Sequence, residues 1–263
     1  MNKIERKIPK IIHYCWFGGN ELTELAKKSI SSWKKYCPEY EIIEWNEKNF
    51  NINYNEYVKE AYESRKWAFV SDVARLYALV NYGGIYLDTD VEIIKPIDDL
   101  LCNEAFVGFE NETKIQTAVL ACCKNNDLFI EFLNDYKNLH FVRKDGSFDL
   151  TTNVVRITNI CENYGLKLNN CIQNINGLTV LPKDYLCPKD YLTNHISITN
   201  NTYVIHHFES SWHSEEQIYA MRLEKKFHFY GGSYLAKLLS IIHYRGIICA
   251  LKEGCGWLKR RSE

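Results

Sequence analysis

Asp88 and Asp90 stand one residue apart at the end of an apolar run, Ile85-Tyr86-Leu87, which follows a Gly83-Gly84 pair. Two carboxylates this close repel each other, and a divalent cation shared with an anionic ligand relieves the repulsion. Hard cations such as Mg²⁺ and Mn²⁺ take oxygen ligands and commonly combine one or two carboxylates with substrate phosphates. The spacing therefore points to a metal–diphosphate site. A solvated turn or a capping aspartate would give the same pattern. Aspartyl-nucleophile phosphohydrolases also place Asp-x-Asp after a strand. Here, however, a further strand-like run, Glu92-Ile93-Ile94, follows, and the pair lies deep in the chain.

Three other groups could share that chemistry. In Ser71-Asp72-Val73-Ala74-Arg75, the apolar stripe Val73, Leu76, Tyr77 and Val80 predicts a helix. Asp72 and Arg75, three residues apart, can then meet each other or share one polar ligand; an ordinary surface ion pair is the bland alternative. A strand ending in His206-His207 comes before Phe208-Glu209-Ser210-Ser211-Trp212. Adjacent strand residues face opposite ways, so only one of these histidines readily joins a shared site. A histidine beside aspartate oxygens suits Mn²⁺ better than Mg²⁺. Trp16, before Gly18-Gly19, is either a stacking surface for a flat base or a core residue.

These groups need elements to hold them. Strands are predicted at 10–17, 40–45 and 85–94, and near 105–109, 116–122, 178–182 and 202–208. Helices are predicted at 21–36, 54–63 and 68–82, and near 126–138, 151–164 and 214–228. Strands alternating with helices predict an α/β fold with a mainly parallel sheet, whose ligands sit beyond the carboxyl ends of the strands. Trp16, Asp88 and Asp90 all fall at such ends.

The 263 residues, 46% of them hydrophobic, suffice for one large core, and a net charge of −1 gives no case for a nucleic-acid binder. Ten scattered cysteines and a start without an apolar signal core predict reduced thiols in a cytoplasmic protein. No run is apolar and long enough to span a bilayer. Charge is unevenly spread: residues 225–263 carry eight Lys or Arg against two Glu, among Leu, Ile and Trp. We expect a domain over 1–232 and a basic, amphipathic tail over 233–263 that could lie on the inner face of the cell membrane.

Taken together, the motifs resemble glycosyltransferase family 32, the sugar transferases with a DXD motif, which include bacterial enzymes of capsule and surface polysaccharide synthesis. The family's opening corresponds to Ile8-Pro9-Lys10-Ile11-Ile12-His13-Tyr14-Cys15-Trp16-Phe17-Gly18. Its central block corresponds to Ser71, Asp72, Arg75, Tyr82-Gly83-Gly84, Tyr86, Asp88 and Asp90, and its closing motif to His206-His207-Phe208-Glu209-Ser210-Ser211-Trp212. Glu209-Ser210 departs from the small residues often found there, and 110–200 matches no pattern, so acceptor choice is expected in that region. The resemblance implies a GT-A type fold and retaining transfer of a hexose from a nucleotide-diphosphate sugar, a UDP-sugar in the first instance. Acceptors would be a saccharide or a lipid-linked saccharide, and the cofactor Mn²⁺ or Mg²⁺.

By resemblance, Trp16 lies against the base, Ser71, Asp72 and Arg75 hold the donor, and Tyr86 approaches the diphosphate. Asp88 contacts ribose and donor sugar, Asp90 binds the metal, His206 or His207 completes the metal site, and Ser211 and Trp212 close over the diphosphate. Asp72, Arg75 and Asp88 are the residues expected to carry the chemistry. A phosphohydrolase or a catalytically silent carbohydrate-binding protein on the same fold are the rival readings.

Overall fold

The computed structural model describes residues 7–209, 215–227, 233–246 and 249. The chain divides into two compact units, one of residues 1–189 and 196–207, the other of 190–195 and 208–263.

In the first unit, β1 (Ile11–Cys15), β2 (Glu41–Trp45), β3 (Gly84–Leu87), β5 (Ala105–Asn111), β6 (Lys114–Cys122), β7 (Gln173–Ile175) and β8 (Leu178–Leu181) form one sheet in the order β2-β1-β3-β6-β5-β8-β7. β1 pairs in parallel with β2 and β3, and β5 with β8, whereas β6 and β7 run against their neighbours. Helices cover the sheet: α1 (Glu24–Tyr36), α2 (Glu56–Glu63), α3 (Trp67–Tyr82), α4 (Asp127–Asn134), α5 (Asn153–Asn163) and the single turn α6 (Lys183–Leu186). This is the expected α/β arrangement, with a mixed, largely parallel sheet consistent with a GT-A type fold.

Alternation along the strands divides the interior in two. Ile12, Tyr14, Ile85, Leu87, Phe106 and Ala121 enter one core with Trp33 of α1. Cys15, Tyr86, Val107, Phe109 and Leu120 enter the other, under α3, α4 and α5. The Thr23 hydroxyl caps α1 by accepting from the Ala26 N–H at 3.1 Å, and Lys34 and Lys35 sit in its last turn, where the helix dipole favours cations.

The Gly pair before the acidic motif has a steric reason. Gly83 ends α3 with φ +67°, and a Cβ there would lie 2.6 Å from the Lys124 amide nitrogen. Gly84 has φ +105°, and its Cβ would meet the Ile11 carbonyl oxygen at 2.6 Å. His13 holds this junction from β1. Its Nε2 donates to the Gly83 carbonyl (2.8 Å) while its Nδ1 accepts from the Trp45 indole N–H (3.1 Å). That pairing fixes the neutral imidazole, and burial lowers its pKa from 6.5 to about 4.

The single strand predicted at 85–94 is two strands. β3 ends at Leu87, Asp88–Asp90 form a turn in which the Val91 N–H donates to the Asp88 carbonyl (3.0 Å), and β4 (Val91–Ile93) leaves the main sheet. β4 pairs antiparallel with β9 (Val204–His206), Val91 opposite His206. Both halves are apolar, which is why the break is invisible as periodicity. β7, α6 and a 3-10 turn at Asp98–Cys102 are also absent from the sequence reading.

In the second unit α7 (Glu215–Phe227) packs on α8 (Ser233–Arg245). Ser240 Oγ donates to the Glu216 carbonyl, Arg245 pairs with the Glu216 carboxylate (both 2.9 Å), and Tyr219 stacks on His243. Both helices thus lie in the unit that takes in 190–195 and the chain from Phe208 onward. No helix among the described residues is long and apolar enough to cross a membrane. The nine described cysteines are free thiols.

Candidate active site

β3 delivers Asp88 and Asp90 to the end of the sheet, and β9 delivers His206 opposite β4. One ligand atom from each of Asp88, Asp90 and His206 lies within 4.8 Å of the other two. His206 Nε2 is 3.4 Å from Asp90 Oδ1. Two carboxylates and one imidazole suit a divalent cation of the Mn²⁺ or Mg²⁺ type, the histidine favouring Mn²⁺. His207 turns away, as alternation requires: its Nε2 lies 2.9 Å from Glu92, which also takes the Lys28 ammonium at 3.0 Å.

Asp88 is held by a buried network. Arg75 reaches Asp72 Oδ1 at 3.1 Å and Asp88 Oδ1 at 3.4 Å through the same guanidinium nitrogen. Its Nη1 donates to the Thr117 carbonyl (2.9 Å) and its Nε to the Ser71 carbonyl (3.2 Å). The guanidinium lies 4.5 Å from the centre of the Tyr86 ring, and the Tyr86 hydroxyl donates to Asp88 Oδ1 at 2.8 Å. Arg75 and Asp72 are almost wholly buried, whereas Asp88 keeps 30% of its side chain exposed. Asp88 is the member of this trio that a ligand can reach.

Burial works against the charge on Arg75, but Asp88, Tyr86 and Asp72 around it keep the group protonated. Burial pushes the Asp72 carboxyl up to about 6, with Arg75 opposing. Asp72 is further tied to α5: the Asn153 N–H donates to its Oδ2 (3.3 Å) and the Asn153 amide to its backbone carbonyl (3.1 Å). The Ser71 hydroxyl donates to the Trp67 carbonyl within its own helix (3.0 Å). Trp16, just beyond β1, is half-buried, with its indole N–H donating to the Asn20 carbonyl (2.7 Å). Ser211 and Trp212 lie outside the described residues.

Several neighbours carry no local signal in the sequence. Asn153 and Thr117 fix Asp72 and Arg75 from distant segments. The Cys15 thiol sits among Arg75, Asp88, Tyr86 and Ser71, and burial pushes it up to about 12. Lys189 donates to the His207 carbonyl (2.6 Å) and faces Asp90; burial lowers its pKa and Asp90 opposes this. Glu110, near the end of β5, faces His206, Lys114 and Lys183, and burial raises its pKa. Glu110 alone had a visible cue, a carboxylate closing the apolar run 105–109.

Residues 23–107 match the family described as "Glycosyltransferase sugar-binding region containing DXD motif". Among curated relatives, inositol phosphoceramide mannosyltransferase 3 of Schizosaccharomyces pombe is 28% identical over 143 residues, 51% of this chain and 38% of that protein. Inositol phosphoceramide mannosyltransferase 1 of the same yeast is 31% identical over 110 residues, 38% of this chain and 34% of that protein. The chain thus spans about a third of the length of these relatives. Among solved structures, PaToxG Glycosyltransferase is similar with a TM-score of 0.43 and 21% identity, over 59% of this chain and 68% of that one. The family match takes in Asp72, Arg75, Asp88 and Asp90 and stops short of Trp16 and His206. Residues 23–107 are thus similar to the sugar-binding region of glycosyltransferases that contains a DXD motif.

Proposed function

We propose that this protein is a retaining, metal-dependent hexosyltransferase that uses a nucleotide-diphosphate sugar as donor. The observation that carries this reading is the convergence of Asp88, Asp90 and His206 within 4.8 Å, beside a carboxylate that Arg75 and Tyr86 hold in place. Asp90 and His206 would hold Mn²⁺ or Mg²⁺, and the cation would supply Lewis-acid stabilisation to the charge that builds on the departing diphosphate. Asp88, fixed by Arg75 and Tyr86, orients the ribose and donor sugar. Lys189 adds positive charge at the Asp90 end. Trp16 offers its ring to the base, and Asp72 shapes the sugar-facing side through its hold on Arg75.

Retention follows if the acceptor hydroxyl attacks the anomeric carbon from the face that the diphosphate leaves. The C–O bond to the diphosphate breaks, the new glycosidic bond forms on the same face, and the hydroxyl proton passes to the departing phosphate oxygen.

A UDP-sugar is the proposed donor, with GDP-sugars, mannose included, next in line because the named relatives are mannosyltransferases. The acceptor is a saccharide or lipid-linked saccharide in surface polysaccharide synthesis. The catalytic domain is proposed to occupy 1–232, with the basic segment after 233 lying on the inner face of the cell membrane. A chain truncated before Tyr234 should then lose membrane partitioning; unchanged partitioning removes that part of the proposal.

The central test is nucleoside diphosphate release from UDP- and GDP-sugars with Mn²⁺, Mg²⁺ or chelator, alongside phosphate release from phosphomonoesters. Metal-dependent release from one donor, lost in Asp90→Asn, is expected. Phosphomonoester hydrolysis instead, or donor binding without turnover under any metal, would overturn the reading.

A further inference from the structure

On the first unit, a surface groove of about 550 Å³ runs between the start of β6 and the N-terminal end of α5. Its floor is apolar, from Phe148, Leu150 and Val155, and its charged lining residues, Lys114 and Arg143, are both basic. We propose that this groove is the acceptor subsite and that it selects a saccharide bearing an anionic substituent, a carboxylate or a phosphate. The proposal rests on the transferase reading given above and adds to it the acceptor's chemical class.

Position is the first argument. Thr152 lines the groove, and the next residue, Asn153, is bonded through both its N–H and its amide to Asp72, the partner of Arg75. At the other side, Lys114 faces Glu110, which also faces His206. The groove is thus one residue from the Asn153–Asp72 bonds, and its Lys114 acts electrostatically on the same carboxylate as His206 does. An acceptor seated there would be beside the reacting end of the donor.

Chemistry is the second argument. Binding sites for small organic ligands combine apolar surface with a few placed polar groups. Phe148 is 38% exposed yet stacks on buried Phe141 at 5.1 Å and 19°, which fixes its ring, and the Lys66 ammonium lies 5.9 Å from the ring centre, a third cation beside the groove. The Arg143 guanidinium spends one nitrogen on Asp149 (3.2 Å), and an arginine has five N–H donors in all. Asp149 itself is engaged by Arg156 and by the Thr151 hydroxyl and N–H. The first turn of α5 holds no acidic residue, and the Thr152 side chain makes no capping bond, so the helix end adds its positive pole to that of the two cations. A neutral acceptor would use the floor and leave both cations unused.

The test compares methyl β-glucuronide, glucose 6-phosphate and methyl β-glucoside as probes, by calorimetric binding and by transfer, with acceptor-free donor hydrolysis measured in parallel. The anionic probes should bind and react better than the neutral one, and the better of the two identifies carboxylate or phosphate. Arg143→Gln and Lys114→Gln should each weaken the anionic probes about tenfold, the scale of one charge-assisted hydrogen bond. Both should leave the neutral probe and donor hydrolysis unchanged, and thermal melting checks the fold. If the parent protein hydrolyses no donor, the transferase reading fails. If it hydrolyses donor but prefers no charge on the acceptor, or binds none of the probes, or loses all three probes equally in the variants, the groove proposal is overturned.

Discussion

On the wall built from α3 and β3, Arg75 fills its donors with Asp72, Asp88, Thr117 and Ser71, and almost nothing of it reaches water. On the wall built from residues 141–155, Phe148 and Leu150 are exposed and Arg143 is half-solvated. A buried ion network tolerates few alternatives, since removing one partner strands the others in a medium of low dielectric. An open groove tolerates more, since water solvates whatever a substitution leaves unpaired. One wall is therefore built to hold a fixed geometry and the other to be revised, and substitutions should divide the same way.

The largest effect is expected at the tip of the fixed wall. Asp90→Ala should lower metal-dependent donor hydrolysis and sugar transfer on the order of 10³-fold with the fold intact by circular dichroism; full activity would remove Asp90 from the chemistry. Arg75→Met should leave the buried Asp72 carboxylate uncompensated and cost roughly 3–5 kcal/mol in urea unfolding. A loss below 1 kcal/mol would mean that the network is more solvated than its burial indicates.

The next effect reads pH. The folded-state pKa of His13, about 4, lies below the unfolded value of 6.5. The unfolded chain therefore binds more protons between these values. The His13 contribution is whole above pH 6.5 and falls away as pH drops towards 4, about 3 kcal/mol in all. His13→Gln should flatten that part of the stability curve relative to the parent. Smallest of all, Arg143→Gln and Phe148→Ala should move stability by about 0.5 kcal/mol or less. A large loss at either position would end the contrast between the walls.

The fixed wall was also the readable one. Asp88, Asp90, Asp72 and Arg75 lie within 19 residues of one another, on a helix and a strand whose periods are plain. The Gly pair marked the junction that α3 and β3 require. What could not be read arrives from far along the chain: Asn153 is 81 residues from Asp72, and Thr117 is 42 from Arg75. Such pairings are decided by how strands order themselves in the sheet, and nothing local in an asparagine or a threonine announces them. His206 and His207 were separable in principle by alternation, but only the pairing of β4 with β9 fixes the phase, setting His206 opposite Val91. The break between β3 and β4 is hidden for a similar reason, since a turn made by Asp88 and Val91 backbone groups leaves no mark on hydrophobic period.

His13 gives the two halves of the fixed wall a common fate. One imidazole joins the end of β2, through Trp45, to the glycine that releases the chain into Asp88 and Asp90. The loop bearing the acidic pair is consequently not a portable cassette. Moving residues 82–90 onto another scaffold, or shuffling them between relatives, would separate the donor loop from its anchor unless β1 and the last residue of β2 travelled with it. Recombination points that respect this dependence lie before Ile8 and after Ile93, and a library cut between them should yield mostly unfolded chimeras.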